Sequence, residues 1–528
     1  MKRLQATDVA YLDVERPNTP PLMAALVILD PSTADGSFVR HRDILAYVES
    51  RLHLAPNLRR RLIFNPLRLD EPRMVDDPNF DLEFHVRHLA LPRPRDRRQL
   101  NILVARLMSR PMDLNRPLWE MYIVEGLENF ASYPDDTFAV LFKLHHAAFD
   151  GAAGLAAIFA MMQDRPGAQP DPPASPWTPE RAPGLADWFV SSLTEGANQI
   201  VANFQAVPSL VKGAYRSLGA LRENNLAAPR TRFQRAISTH RVLDWINLPM
   251  AEVQAVRTAL GKPKVNDLVL TVIGGALREY LISKGELPET SLVTLCPINV
   301  RGSGDPRHGG NQISAMRVLL GTDIDEPIER LRLISESSAK GKEQAENLGA
   351  TFVADMLAFY PYFARSEISK GIMAMAERIE TSVPMANVVV SNIPPPRGNI
   401  FFAGSKALEF TGFGPLTAGI GLFHTISGME GVMSIAVNSG REIMPDVTYY
   451  MDCLRRSFAR LQDAADKLPQ TPAKSVRRAP RKSLDKSATA ERLSAEAAPR
   501  QDRGSKRQPA RKPKVLAKAR RSTPALVS

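Results

Sequence analysis

The chain has 528 residues, 44% of them hydrophobic and 23% charged, which excludes a chain disordered throughout, a collagen and a coiled-coil rod. At about 100–200 residues per domain the length predicts roughly three domains, or two large ones with extra segments. The net charge is +12, yet residues 469–528 hold 17 Lys/Arg against 4 Asp/Glu, so the preceding 468 residues are nearly neutral at −1.

The first 165 residues alternate strand and helix signals. Met23–Leu29 is a short apolar run ending at Asp30-Pro31, a strand pattern. Ile44, Leu45, Val48 and Leu52 recur at helical spacing, as do Leu100, Leu103, Val104 and Leu107, with Pro111 just beyond the second helix. Trp119, Met121 and Ile123 alternate with Glu120 and Tyr122, predicting a half-buried strand. Thr137–Leu144 is denser and predicts a fully buried one. It runs into His145-His146-Ala147-Ala148-Phe149-Asp150-Gly151, and a small-residue helix follows over Ala152–Met162.

Seven prolines between 165 and 183 predict a semi-rigid linker. An amphipathic region follows, about Leu185–Leu221, with Trp188 and Phe189 among its apolar residues. It suits core packing between domains or a surface helix touching lipid. A second α/β region starts near residue 238. Leu268 to Tyr280 form a strong helical face, Leu292–Cys296 and Val388–Ser391 are strands leading into prolines, and Asp446–Leu461 closes the body as a helix. Phe410–Val437, broken by glycines, predicts two or three buried strands. The last 60 residues lack Phe, Trp and Tyr and cannot bury enough apolar area to offset ordering entropy. The domains expected are therefore 1–164, a connection over 165–237, 238–467, and a disordered basic tail over 468–528. The tail implies an anionic partner, either phospholipid or nucleic acid.

Cys296 and Cys453 stand alone, so a disulfide framework and Cys-based metal sites are excluded and a reducing cytosol is expected. No apolar run approaches the roughly 20 residues of a membrane span. Asp8 follows Met1-Lys2-Arg3-Leu4 before any apolar core forms, which is not a signal-peptide pattern.

Chemistry concentrates at His145-His146. An imidazole with an unperturbed pKa near 6.5 is the natural general base at neutral pH. A pair of structural histidines at a strand end is the plain alternative. Gly-x-Ser-x-Gly, a phosphate-binding Gly-rich loop and His-Glu-x-x-His are all absent.

His-His-x-x-x-Asp-Gly resembles the active-site motif of the CoA-dependent acyltransferase superfamily. Further segments resemble the wax ester synthase/diacylglycerol acyltransferase family within it. They are Val75–His88, Pro117-Leu118-Trp119-Glu120, Asn266-Asp267, Pro297-Ile298-Asn299-Val300-Arg301 with Gly310 and Asn311 beyond, and Ser391-Asn392-Ile393-Pro394. In order, they span most of residues 5–465. Departures from the pattern are Leu22-Met23-Ala24 where a His usually follows Pro-Met, Met74 for a Trp, and Ile426–Gly431 for a Ser-Tyr-Asp/Asn-Gly block.

The resemblance implies an α/β fold of two chloramphenicol-acetyltransferase-like domains flanking a substrate channel. It implies a long-chain acyl transfer from acyl-CoA to diacylglycerol or a long-chain alcohol, with acyl-CoA as substrate, no cofactor and no metal. His146 would be the base and Asp150 a loop-holding residue paired with a distant Arg. Arg301 is one candidate, with solvent or another carboxylate equally open to it. His145 would orient the loop and Gly151 open the helix. Asn266 and Asp267 would support the site or simply cap a helix. Asn392 would line the acceptor or thioester site, and Pro117, Leu118 and Trp119 would shape the channel. His85 and His88 are expected to be structural. The rivals are a condensation-type enzyme using carrier-bound thioesters, a catalytically silent lipid-surface protein, and nucleic-acid association through the tail alone. The first reading places the protein in the cytoplasm, peripherally on the plasma membrane's inner face or on lipid inclusions.

Overall fold

The computed structural model describes residues 2–468 apart from 35–38, 67–69, 131–132, 135, 174, 191–227, 300–312, 349–383 (where only 367 and 371 are described), 397 and 430. Arg301, Gly310, Asn311, most of the expected amphipathic region and the tail from 469 onward lie outside the described residues.

The first half runs β1 (Lys2–Arg3), α1 (Ala6–Val14), β2 (Leu22–Asp30), α2 (His41–Arg51), β3 (Arg60–Ile63), β4 (Arg73–Asp76), α3 (Leu82–His85), β5 (Val86–Ala90), α4 (Arg97–Met108), β6 (Trp119–Glu125), β7 (Phe138–His145) and α5 (Gly151–Ala160). The second runs β8 (Arg241–Pro249), α6 (Met250–Ala259), α7 (Val265–Ser283), β9 (Val293–Asn299), β10 (Ile313–Leu319), α8 (Pro327–Leu348), β11 (Val388–Asn392), β12 (Phe401–Phe402), β13 (Ser405–Phe413), β14 (Leu422–Met429), β15 (Val432–Gly440) and α9 (Val447–Asp466). They build two six-stranded sheets, in the orders β12-β13-β2-β7-β6-β5 and β10-β9-β11-β14-β15-β8, and a small β1-β4-β3 sheet. This is the mixed α/β architecture with two sheet-rich halves that the resemblance implied.

The first sheet is covered on both faces. Leu100, Val104 and Leu107 of α4 pack with Leu26, Ile28 and Leu141 on one side. Ile44 and Val48 of α2 and Ile158 of α5 pack with Val27, Val140 and Phe142 on the other. Two buried faces explain why every residue of β7 is buried. They also correct the expectation for β6: Tyr122 is buried along with Trp119, Met121, Ile123 and Val124, because β6 lies between β5 and β7 under helices on both sides.

The sheet boundary does not follow the chain boundary expected near residue 238. β12 and β13 belong to the first sheet, with β13 pairing antiparallel to β2 from Lys406↔Asp30 to Phe413↔Ala24. At its far end β13 peels onto the second sheet. The Gly412 amide donates to Ser427 Oγ (3.2 Å) and Asn438 Nδ2 donates to the Gly414 carbonyl (2.8 Å). A Cβ at Gly412 or Gly414 would overlap Ile393 or the Phe423 ring, so glycine lets this strand cross.

In the second half α7 is buried over most of its length and packs on α9 and α8. Strand β9 continues through Pro297, which faces Ala315, beyond the end expected before it. β11 covers β9 only at Thr294 and Leu295, so past that point one edge needs no donor. Of the amphipathic region, Trp188 is described: its ring is buried with the Arg73 guanidinium 4.5 Å from its centroid, the core-packing alternative, while Phe189 is exposed.

Candidate active site

β7 delivers the two histidines to the end of the first sheet. His145 still belongs to the ladder, facing Leu22 of β2. The chain then leaves the sheet, and the His146 amide donates to the Pro21 carbonyl (3.0 Å).

His145 is fully buried. Its Nδ1 accepts the Ala147 amide (3.1 Å), which leaves the proton on Nε2, 3.4 Å from Glu15 Oε2. Its carbonyl accepts the Ala148 and Phe149 amides. One side chain and one carbonyl thus shape the turn. His146 has its ring stacked on Tyr11, with centroids 4.0 Å apart and planes 17° apart. Its Nδ1 is buried with no hydrogen-bond partner, so Nε2 is the nitrogen left to solvent. Burial pushes the pKa down to about 4; the residue's own backbone opposes the shift, His145 adds to it and Asp150 opposes it.

Asp150 caps α5. Its Oδ1 accepts the Ala153 amide at 2.6 Å, satisfying one free donor of the first turn. Among the described residues no Lys or Arg stands within ion-pair distance of it, and Arg301 lies outside them. Asp150→Ala is therefore expected to cost about 1 kcal/mol, the worth of an N-cap, rather than the cost of a broken buried ion pair. A chemical-denaturation midpoint measures it, and a loss above about 3 kcal/mol would show an ion pair. Gly151 opens α5 with free space where a Cβ would stand. Gly154, one turn on, would meet Met23 and Leu144, so close helix–sheet packing is set there.

The Pro117-Leu118-Trp119 segment lies beside the same strand end. Trp119 faces Leu144, and the His145 amide donates to the Leu118 carbonyl (3.1 Å). Trp119 Nε1 donates to the Leu58 carbonyl (2.7 Å), and its ring stacks on His85 at 4.7 Å. His85 is itself buried with Nδ1 2.7 Å from the Trp119 carbonyl. These residues form a packed wall. His88 sits further along β5, with Nε2 2.8 Å from Glu125 Oε1.

Asn392 is exposed at the end of β11. Its neighbour Ile393 packs on Gly412, whose strand partner is Ala25. Ala25 stands three residues along β2 from Leu22, hence about 10 Å from the His145 register. The Asn-Asp pair does not cap α7: Lys264 holds the cap position without a side-chain bond. Asp267 is buried in the first turn and accepts from Ser335 Oγ of α8 (3.2 Å), tying two helices together. The described contacts do not bring Asn266 or Asp267 to His146.

Sequence reasoning missed α1. Asp8 and Tyr11 of α1 and Glu15 just past its end, at i, i+3 and i+7, are all coupled to the histidine loop. Tyr11 stacks on His146, Glu15 receives His145, and Asp8 senses the Asp150 carboxylate. Burial pushes Asp8 up to about 6, the Gln5 amide and Lys2 oppose it, and Asp150 adds to the rise. Burial also pushes Tyr11 up to about 12, with Asp8 and Asp150 adding to it. Two acids and a Tyr at helical spacing, Asp8, Tyr11 and Glu15, were the available signal.

Comparison with known proteins agrees with this geometry. Residues 4–269 match the wax ester synthase/diacylglycerol acyltransferase catalytic domain, and 309–462 match the C-terminal domain of the same family. A Mycobacterium tuberculosis relative provisionally named diacylglycerol O-acyltransferase is 31% identical over 89% of this chain and 92% of its own length. Another from that organism, of the same provisional activity, is 29% identical over 90% and 99%. Among solved structures, the wax ester synthase/diacylglycerol acyltransferase of Marinobacter aquaeolei superposes with a TM-score of 0.62 at 23% identity, covering 88% of this chain and all of that one. A condensation domain of rhizomide synthetase, solved with C8-CoA, gives 0.51 at 14% identity over 88% and 94%, a likeness of fold.

Proposed function

This chain belongs to the wax ester synthase/diacylglycerol acyltransferase family, and on that premise we propose that it transfers a long-chain acyl group from acyl-CoA to diacylglycerol or a long-chain alcohol. The carrying observation is the state of His146: a ring held by stacking, with Nδ1 sealed and Nε2 open. In the proposed reaction Nε2 takes the proton of the acceptor hydroxyl while its oxygen attacks the thioester carbonyl. The tetrahedral intermediate collapses, the carbon–sulfur bond breaks, and the imidazolium returns the proton to the CoA sulfur. The products are an ester and free CoA, and no cofactor or metal is called for. His145, Asp150 and Tyr11 hold the base in place, and much of the rate comes from orientation.

Labelled palmitoyl-CoA offered with hexadecanol or with diacylglycerol tests the reading. Wax ester or triacylglycerol is the expected product. Membrane binding with no new neutral lipid would favour a silent lipid-surface protein.

The depressed pKa fixes the pH dependence. A base with a folded pKa of about 4 is protonated, and so inactive, only near and below that pH. kcat/KM should therefore stay level from pH 7.5 to about 5 and fall near pH 4. An acid limb centred at 6–7 would show that burial does not depress the pKa of the base.

Among the described residues no helix is long and apolar enough to cross a membrane. We propose that the basic tail holds the body at anionic lipid, each engaged Lys or Arg contributing up to about 1 kcal/mol. Deleting residues 469–528 should lower sedimentation with anionic vesicles and spare activity on detergent-dispersed acceptor. Tight nucleic-acid binding with no lipid binding would redirect the tail to that partner.

A further inference from the structure

A cleft of about 790 Å³ separates α4 from the start of β8 and the turn after β15, within the roughly 300–1,000 Å³ of small-molecule sites. Its lining is cationic. Arg97 is satisfied by Asp244 (3.1 Å) and lies over the Trp245 ring at 4.0 Å. Arg241 is buried and bonded to the Ser238 and Asn18 carbonyls, and burial pushes its pKa down to about 10 against the opposing charge of Glu442. Arg98, Arg106 and Arg441 are exposed in the same cleft, and among the described residues no carboxylate stands within ion-pair distance of them. Its acids are already engaged: Asp244 by Arg97, Asp446 by Lys284 and Tyr280. Three guanidinium groups without carboxylate partners line one cleft, and such groups bind phosphate oxygens with paired N–H donors.

The α1–β2 loop touches both the cleft's end and the histidine turn. Asn18 Nδ2 donates to the Ile237 carbonyl (2.7 Å) and its own carbonyl receives Arg241, which fixes the α1–β2 loop against the cleft's end. Three residues on, Pro21 of that loop accepts the His146 amide.

We infer that this cleft binds the phosphate groups at the nucleotide end of the CoA donor, with Arg98, Arg106 and Arg441 as the ligands. The inference rests on the acyl-CoA reading above. A phospholipid headgroup carries the same chemistry and is the other source to be separated.

The experiment uses the full chain and the variant R98Q/R106Q/R441Q, whose three side chains make no described structural bonds. Titration calorimetry with CoA should show Kd raised about tenfold or more. The wild type's CoA affinity should weaken with salt, and the variant's much less. KM should rise for palmitoyl-CoA and not for palmitoyl-pantetheine, which lacks the nucleotide. On the wild type alone, 3′-dephospho-CoA should bind more weakly than CoA, a result independent of how the variant folds. Unchanged CoA affinity and KM in the variant would overturn the site while leaving the donor reading intact. Loss of binding to phosphatidylglycerol vesicles with CoA affinity retained would assign the cleft to lipid and overturn it likewise. A wild type that neither binds CoA nor uses palmitoyl-CoA would fail the donor reading, and this site with it.

Discussion

His146→Ala is expected to lower kcat about 10²–10⁴-fold, the usual contribution of general-base catalysis, while leaving the denaturation midpoint close to that of the native chain. The physical reason is the division of labour in the loop. His146 gives the fold one ring stack on Tyr11 and no hydrogen bond from Nδ1. His145 gives it an acceptor for the Ala147 amide, a donor to Glu15 and full burial. His145→Ala should accordingly lower stability as well as turnover. The two variants must be compared in single-turnover rate at matched stability. A greater kinetic loss in His145→Ala under those conditions would exchange the two roles.

The largest stability effect is expected two residues before the histidines. Lys143 is buried on β7, with Nζ 3.0 Å from Glu120 Oε2 and 2.8 Å from the Arg110 carbonyl. Tyr122 donates to the same carboxylate at 2.7 Å. Burial alone would push Glu120 up, but Lys143 and Tyr122 outweigh it and hold the carboxyl below its usual value. For Lys143 burial wins and the pKa is lowered. Glu120→Ala would leave a buried ammonium without its counter-charge, which costs about 3–5 kcal/mol. The double variant Glu120→Leu with Lys143→Met should recover much of that loss, because it removes both charges and keeps the volume. Below about pH 4.5 the wild-type and Glu120→Ala stabilities should converge. A depressed carboxylate pKa contributes stability above its unfolded value and loses it as pH falls through the folded value. A cost under about 1 kcal/mol for Glu120→Ala at pH 7 would mean that Lys143 finds water or sheds its proton.

Much of the order of the candidate site is readable in the sequence because it is local. The β7 apolar run, the histidine pair at its exit and the small-residue helix after it are contiguous. Asp150 lies in the stretch that an N-cap occupies. Asp150 caps its helix, whereas Asp267 does not and bonds Ser335 on a different helix. Propensity gives a residue's suitability for a cap; only packing says whether a neighbour claims the side chain first.

Sequence by itself determined the period and order of the elements, the neutral body with its basic tail, and the motif blocks that place the chain in its family. These depend on hydrophobic spacing and contiguous residues, which the chain carries without folding. Tertiary structure alone decided what depends on distant segments meeting. β13 joins the first sheet rather than the second by pairing with β2, which lies some 380 residues earlier. Asp8 and Tyr11 of α1 and Glu15 just past its end matter because they are coupled to a loop about 135 residues away. The arginines of the cleft converge from α4, β8 and the turn after β15. Linear spacing carries no signal for such encounters, since loop closure over long separations depends only weakly on length and is settled by which surfaces pack.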